Sequence, residues 1–505
     1  MREYGCFIDG KFLPAASGRT LESRDPATGD VVARVAAAGV RDARHAIDAA
    51  RRAFDDGSWS GRSPEARRDA LLSICDAMLV RINELAELEA RDTGIPIRIT
   101  TGMVAAAIQH ARELTEMAAR IPLVEPLPHN EFPAPSQNLL VREPYGVVTA
   151  ITPFNSPLVL GVWKVFPALA MGNTVVLKPS PETPCTSSEL AALFAESDVS
   201  PGAFNVLTGG GPDVGEELVT NPLVDRVAFT GSTEAGARIG VLAASGVKRL
   251  TLELGGKSPN IILDDADLDI AVPGSIWAMY ISSGQVCQAG SRLFVPARLY
   301  DEVVDRIATA LPQLRVGPTL SWETDLGPLV SQRQLDRVER YVRIGREEGA
   351  SLACGGHRLT DGALREGFYY APTVLTDVRN DMRIAQEEIF GPVLCVIRYE
   401  SVDEAIALAN DSIFGLAGGV WSRDVPRALA VARRLRAGTV WINDYHMLTT
   451  SAPYGGYGRS GLGKELGEAG VLEYVQSKHV WVDQSRGDQR KIWGPMLGLD
   501  RIFPS

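Results

Sequence analysis

Between residues 173 and 245 short apolar segments alternate with amphipathic ones. Residues 173–177 read as a strand, 187–196 as a helix, 205–208 as a strand, 213–220 as a helix, 226–229 as a strand and 234–245 as a helix. Such alternation specifies a parallel sheet with right-handed crossovers, because parallel neighbours cannot be joined by a hairpin. A second run follows Glu253: a strand at 260–263, helices near 268–280 and 300–311, then segments at 391–398, 401–410 and 439–443. A chain of 505 residues is also too long for one hydrophobic core. The pattern therefore predicts an α/β protein with two doubly wound parallel-sheet units that meet near Glu253.

The flanks read differently. Ala, Leu and Arg recur at helical spacing from 41 to 120, as in 69–90. Residues 121–137 carry prolines at 122, 126, 128, 133 and 135, which precludes regular helix and marks an extended connection. Residues 139–151 are strand-like, apolar and β-branched around Pro144-Tyr145-Gly146.

Composition narrows the function. Lys and Arg number 51 against 62 Asp and Glu, a net charge of −11. No basic stripe invites nucleic acid, and an anionic membrane surface is disfavoured. The most apolar stretch, 157–170, is interrupted by Lys164 and Pro167 and is too short to span a bilayer. The first ten residues hold no apolar core of a secretory signal. The six cysteines lie far apart, with no CxxC and no zinc-ligand spacing, so no metal is expected. That usage fits a reducing compartment, and a cytoplasmic enzyme is the expectation.

Two segments carry the chemistry. Thr251-Leu-Glu253-Leu-Gly-Gly-Lys-Ser-Pro-Asn260 places a carboxylate at the end of an apolar run, directly before two glycines. Gly284-Gln-Val-Cys287-Gln-Ala-Gly-Ser-Arg292 places a lone cysteine in a Gly/Ser/Gln setting. A free cysteine is most often a buried structural residue, but Ser282, Ser283, Gly284 and Gln285 form no apolar core pattern. A thiolate there can attack a carbonyl carbon, and a carboxylate can then activate water to cut the thioester. The alternative for Glu253 is a solvated carboxylate at a strand end; Leu252 and Leu254 on either side point it into a cleft instead. Phe229-Thr-Gly-Ser232 ends one strand and opens a helix, an arrangement that offers backbone N–H groups to a pyrophosphate. Lys178 ends another strand, where its ammonium can reach ribose or phosphate. The literal GxGxxG at Gly456-Tyr-Gly458-Arg-Ser-Gly461 has no strand before it and no βαβ unit around it, so it is a decoy.

In order and spacing, the motifs from about Glu143 to Glu473 resemble those of the aldehyde dehydrogenase superfamily. The resemblance implies catalytic roles for Cys287 as nucleophile, Glu253 as general base and Asn155, in Ile151-Thr-Pro-Phe-Asn-Ser-Pro157, as oxyanion donor together with the Cys287 backbone N–H. It implies a cofactor site built from Phe154, Lys178, Ser180, Pro181, Gly231, Ser232, Leu254, Gly255, Glu388 and Phe390. Lys164 and Glu465 match a polar pair behind Glu253, either a proton relay or a structural ion pair. One departure concerns Pro181: the family's usual residue there is a glutamate that holds the adenosine ribose and repels a 2′-phosphate. NAD is the implied cofactor, with NADP also accepted.

The resemblance further implies a substrate tunnel at Ser156, Leu160, Trp163, His446, Leu448 and Tyr454. Apolar and aromatic residues dominate it, with no acid or guanidinium, which favours uncharged apolar or aromatic aldehydes; His446 is the position that can bind a polar group. The implied architecture is a cofactor-binding domain at 1–121 and 146–254, a catalytic domain at 255–460, and an oligomerisation arm with a C-terminal tail at 122–145 and 476–505. Residues 139–142 and 478–482 are the arm strands, and the partner expected besides the small-molecule aldehyde is a second copy, in a homodimer or homotetramer. The apolar tail of Ile492, Trp493, Met496, Leu497, Leu499, Ile502 and Phe503 is expected to pack on that partner. Other readings are a coenzyme A-acylating, reductive or semialdehyde-specific member, and a non-enzymatic structural relative. Coenzyme A-acylating members typically lack the glutamate matched by Glu253, and a structural relative predicts erosion of residues that are all present.

Overall fold

The computed structural model describes residues 1–485 and 491–503. Its two large sheets follow the alternation in the sequence. In the first, five parallel strands run in the order Arg249–Glu253, Arg226–Thr230, Val147–Ile151, Thr174–Lys178, Phe204–Val206. Antiparallel additions close both edges: Gly461–Leu462 beside Arg249–Glu253, and the hairpin of Cys6–Ile8 and Lys11–Leu13 beside Phe204–Val206. The second sheet runs Ser351–Cys354, Thr373–Thr376, Val393–Tyr399, Arg292–Pro296, Pro259–Ile262, Ala417–Trp421, Thr439–Ile442, parallel except at its first pair. Helices cover both sheets, so the strands are buried on both faces and read as continuous apolar runs.

The helix Pro157–Ala170 lies at the centre of the first unit. Val162, Val165, Phe166, Ala168 and Leu169 are fully buried, and the helix packs between the first sheet and the long helix Ile97–Arg120. The helical stretch expected at 69–90 is two helices, Pro64–Val80 and Ile82–Thr93. The break falls at Arg81, whose guanidinium turns to Glu84 and Glu189. At the amino terminus, Arg2–Tyr4, Thr20–Arg24 and Val31–Ala36 form a further small sheet that the sequence pattern did not reveal.

The proline-rich connection is extended, as expected, but also paired. Val124–Asn130 forms an edge strand against Ser136–Pro144, which pairs on its other side with Val475–Asp483. Pro126 and Pro128 are tolerated because an edge strand can leave N–H positions unused. The ladder Ser136–Pro144 with Val475–Asp483 spans nine residues and ties the chain's middle to its end. Of the C-terminal tail, residues 486–490 and 504–505 lie outside the described residues. In the described part, Trp493–Met496 forms one helical turn, and Trp493, Met496, Leu497, Ile502 and Phe503 are exposed.

Candidate active site

In a parallel sheet every strand presents its carboxyl end to the same edge. Thr230 and Glu253 end adjacent strands in register, and Ile151 and Lys178 end the next two. The Glu253 carbonyl accepts from the Gly231 N–H at 3.0 Å. Ser232 then caps the helix Thr233–Ala244, its hydroxyl accepting from the Ala235 N–H at 3.2 Å. Pro153, Phe154, Asn155, Thr230, Gly231, Ser232, Leu254 and Gly255 form one wall of a cleft of about 920 Å3 with Cys287 at its floor. A Cβ at Gly255 would collide with the Glu388 carboxylate, so only glycine lets the two walls approach.

Cys287 reaches the cleft through a sharp turn. The helix Leu268–Tyr280 ends, and Ser282, Ser283 and Gly284 follow with φ of 51°, 53° and 71°. Left-handed backbone in consecutive non-glycine residues is strained and needs support. The Ser283 hydroxyl donates to the Gly327 carbonyl at 2.7 Å, and the Gln285 side chain accepts from the Val330 N–H at 3.0 Å. Burial, with the nearby carboxylates of Glu388 and Glu253, pushes the Cys287 thiol up to about 12.

The opposite wall comes from the helix Gln332–Glu347 and the segment around Glu388. Gln334 donates to the Ile389 and Phe390 carbonyls at 3.1 and 2.6 Å; Arg337 holds the Glu388 and Ile389 carbonyls. Neither residue was singled out in the sequence. They act through backbone carbonyls across a long separation, and amphipathic helix spacing carries no sign of that. Glu388 accepts from the Gly256 N–H at 3.2 Å, and burial raises its carboxyl to about 7. Phe390 meets Phe154 edge to face, ring centres 5.6 Å apart.

Glu253 is buried, and neither of its carboxylate oxygens has a hydrogen-bond partner among the described residues. Burial raises its carboxyl well above the ordinary range, the neighbouring Glu465 adds to this, and Lys164 opposes it. The Lys164 ammonium is fully buried, donates to the Thr230 hydroxyl at 2.6 Å and ion-pairs with Glu465. Lys178 is buried at its strand end, and Pro181 is exposed. Ser180 accepts from the Glu182 N–H at 3.2 Å, and the Glu182 carboxylate pairs with Arg333 of the facing helix at 2.9 Å.

On the far side of Cys287, Trp163 and Tyr454 meet edge to face at 5.5 Å. Leu160 is buried, and Ser156 and Leu448 are half-buried. His446 differs from its expected role as a polar binder. Its Nε2 lies 3.0 Å from the Ala278 carbonyl and its Nδ1 3.0 Å from the Gln288 amide, so both nitrogens are engaged by protein. The decoy GxGxxG holds a short turn at Gly458–Ser460 and then the edge strand Gly461–Leu462.

A buried thiol in a cleft beside a helix N-terminus, with a buried carboxylate near it, is the arrangement of an enzyme with a nucleophilic cysteine. The family model for the aldehyde dehydrogenase family matches residues 12–480. A putative aldehyde dehydrogenase, DhaS, of Bacillus subtilis (strain 168) is 44% identical over 479 residues, 94% of this chain and 95% of that one. The betaine aldehyde dehydrogenase of the same organism is 43% identical over 478 residues, 94% and 96% of the two chains. The crystal structure of Staphylococcus aureus betaine aldehyde dehydrogenase in complex with NAD+ superposes with a TM-score of 0.94 at 38% identity, covering 97% of this chain and 96% of that one. An NAD+ complex of Bacillus cereus aldehyde dehydrogenase gives 0.92 at 41% identity, covering 96% and 97%. The chain belongs to the aldehyde dehydrogenase family.

The buried ion pair makes a stability prediction. Lys164→Met leaves the Glu465 carboxylate uncompensated and should cost about 3–5 kcal/mol. Urea denaturation reads this, and Lys164→Met/Glu465→Leu should recover most of the loss. A single variant as stable as the parent would show that the pair is not held as described.

Proposed function

We propose that this protein oxidises an aldehyde to its carboxylic acid with NAD. The observation that carries the reading is Cys287 at the floor of a cleft whose wall bears Asn155, with unpartnered Glu253 buried close enough to raise the thiol. The cleft fits a dinucleotide: the helix N-terminus at Ser232 suits a pyrophosphate, and Phe154 and Phe390 form an apolar end beside Cys287. Leu254, Gly255 and Glu388 line the cleft; in this reading Glu388 holds a ribose, and Lys178, Ser180 and Pro181 serve the adenosine side. The chemistry that bound NAD supplies is hydride acceptance, which takes a thiohemiacetal on Cys287 to a thioester.

The protein's own groups do the rest. Once its proton has left to solvent, the Cys287 thiolate attacks the aldehyde carbon, and the new oxyanion is held by the Asn155 amide and the Cys287 backbone N–H. Glu253, ionised, takes a proton from water as that water attacks the thioester. Hydrolysis by this step sets the reading apart from acyl transfer to coenzyme A. Because its carboxyl is raised, the acidic limb of turnover should lie above the ordinary carboxylate range, with activity gained as pH rises through it. Lys164 and Glu465 set the charge around that carboxyl.

For substrate, Trp163, Tyr454, Leu160 and Leu448 favour an uncharged apolar or aromatic aldehyde, with Ser156 and His446 completing the lining. A second reading is a quaternary ammonium aldehyde, supported by the names of two relatives and by the adjacent aromatic rings of Trp163 and Tyr454, since aromatic rings attract cations. Carboxylate-bearing semialdehydes lack a partner charge in both readings.

In this reading residues 1–121 and 146–254 bind cofactor, 255–460 carry the nucleophile, and 122–145 with 476–505 form an arm and tail; the separation of the two large sheets supports the division. The outer edges of Val124–Asn130 and Val475–Asp483 have no strand partner among the described residues. Edge pairing and the exposed tail side chains support a homodimer or homotetramer.

Three measurements test these statements. Cys287→Ala should abolish oxidation and keep cofactor binding, whereas Glu253→Gln should give one burst of reduced cofactor and then stall. Full steady turnover in either variant contradicts the assignment. A panel of hexanal, benzaldehyde, betaine aldehyde and succinic semialdehyde should place the semialdehyde last in kcat/KM; if it leads, the tunnel reading fails. In the same assay NADP should support turnover, and Pro181→Glu should weaken its use by about 1–3 kcal/mol. Truncation after Gln484 should change mass by light scattering, or the melting temperature and substrate profile; no change in any of these would show the tail to be irrelevant.

A further inference from the structure

A hydrogen-bond chain whose direction is fixed at one end reaches the nucleophile. It begins at the Ala278 carbonyl, which can only accept. His446 Nε2, 3.0 Å away, therefore carries the ring's hydrogen. Burial lowers the imidazole to about 4, so the ring is neutral and Nδ1 is left as an acceptor. The Gln288 amide must then present its NH2 to Nδ1, at 3.0 Å. Its carbonyl oxygen faces the Tyr454 hydroxyl at 2.6 Å and accepts that hydroxyl's single hydrogen. Tyr454 is left with lone pairs only, and its oxygen lies 3.8 Å from Cys287 Sγ. Gln288 and Tyr454 are both buried, and the rings of Trp277, Trp441 and Tyr445 surround His446, so water does not readily replace a link.

We propose that His446 and Gln288 are positioning residues that commit the Tyr454 proton away from sulfur, so that the resting enzyme keeps Cys287 as a thiol donating to Tyr454. This deepens the proposed function and rests on Cys287 being the nucleophile. A thiolate facing tyrosine lone pairs gains nothing from them; only a hydroxyl turned from Gln288 to sulfur supports it. The other ionisable groups near Cys287 are Glu388, Glu253 and Tyr445; the carboxylates favour the thiol, and among the ionisable groups only a Tyr454 hydroxyl turned to sulfur pulls the other way. The chain thus holds back a nucleophile that would otherwise be open to oxidation from the cleft.

The experiment is alkylation of the full-length protein by iodoacetamide at a fixed, mildly alkaline pH, followed by mass analysis of the Cys287 peptide. Gln288→Leu removes the acceptor and frees Tyr454 to donate to the thiolate. A hydrogen bond to a charged group is worth about one pKa unit or more. One unit gives about ten times more thiolate, each about a third as nucleophilic, so alkylation should quicken at least about threefold. Gln288→Met should act in the same direction. Gln288→Glu keeps an acceptor before Tyr454 and should show no gain. In Gln288→Leu/Tyr454→Phe the gain should vanish. An unchanged or slower rate in both Gln288→Leu and Gln288→Met overturns the proposal, as does a gain that survives loss of the Tyr454 hydroxyl. Cys287→Ala separates the two readings: turnover retained there refutes the nucleophile itself, whereas an inactive Cys287→Ala with unaltered alkylation in the Gln288 variants refutes only the chain.

Discussion

A buried ion pair cannot lose one partner without stranding the other's charge, and the Lys164–Glu465 pair organises this site. Lys164 sits on the central helix of the first unit, Thr230 ends a strand of the first sheet, and Glu465 comes from near the chain's end. One cation therefore ties together three segments far apart in sequence. Glu465 is in turn fixed to Tyr454 by two backbone hydrogen bonds, 2.6 and 2.8 Å long. The position of Tyr454 beside Cys287 thus follows from where Lys164 has its counter-ion. Desolvating such a pair is costly, and neither partner can be removed alone without stranding a charge.

Around this fixed charge, three carboxylates occupy different environments. Glu465 has the cation. Burial raises the Glu388 carboxyl to about 7, and the Gly256 N–H with the nearby charges of Arg337 and Lys257 opposes the rise. Glu253 has no hydrogen-bond partner among the described residues, and burial, with the like charge of Glu465, raises its carboxyl well above the ordinary range. Groups whose surroundings push them apart are suited to different tasks. The unpartnered, raised carboxyl suits proton transfer at neutral pH, and the hydrogen-bonded one suits holding a ligand.

Much of this was legible in the sequence. The strands at 173–177 and 226–229 fall within one residue of Thr174–Lys178 and Arg226–Thr230, and the helix at 268–280 matches Leu268–Tyr280. Local periodicity suffices for elements buried on both faces. It fails for the short strands near the amino terminus, three residues long in several cases, because long-range pairing defines them and not their own pattern. Proline content hid the strand Val124–Asn130 for the same reason. Cys287, Glu253 and Asn155 stood out by residue type and motif; Cys287 and Asn155 line one cleft, and Glu253 is buried close enough to raise the thiol. Gln334, Arg337 and the His446–Gln288 contact did not, since each depends on which backbone carbonyl lies opposite in the fold.

The cleft also answers a question that net charge poses. A protein with a charge of −11 should repel a dinucleotide's phosphates at long range. Locally the balance reverses. The helix Gln332–Glu347 presents Arg333, Arg337, Arg340 and Arg343 to the cleft, facing the helix N-terminus at Ser232. Not all of these are free to meet a ligand: Arg337 is held by carbonyls and Arg333 by Glu182. The Glu182 pair is notable because it stands one residue beyond Pro181, where an acid was expected. A carboxylate is therefore present at this edge but is already matched by a guanidinium, which weakens its repulsion of a phosphate. The proposed acceptance of NADP beside NAD then rests on a neutralised pair, and not only on the missing glutamate.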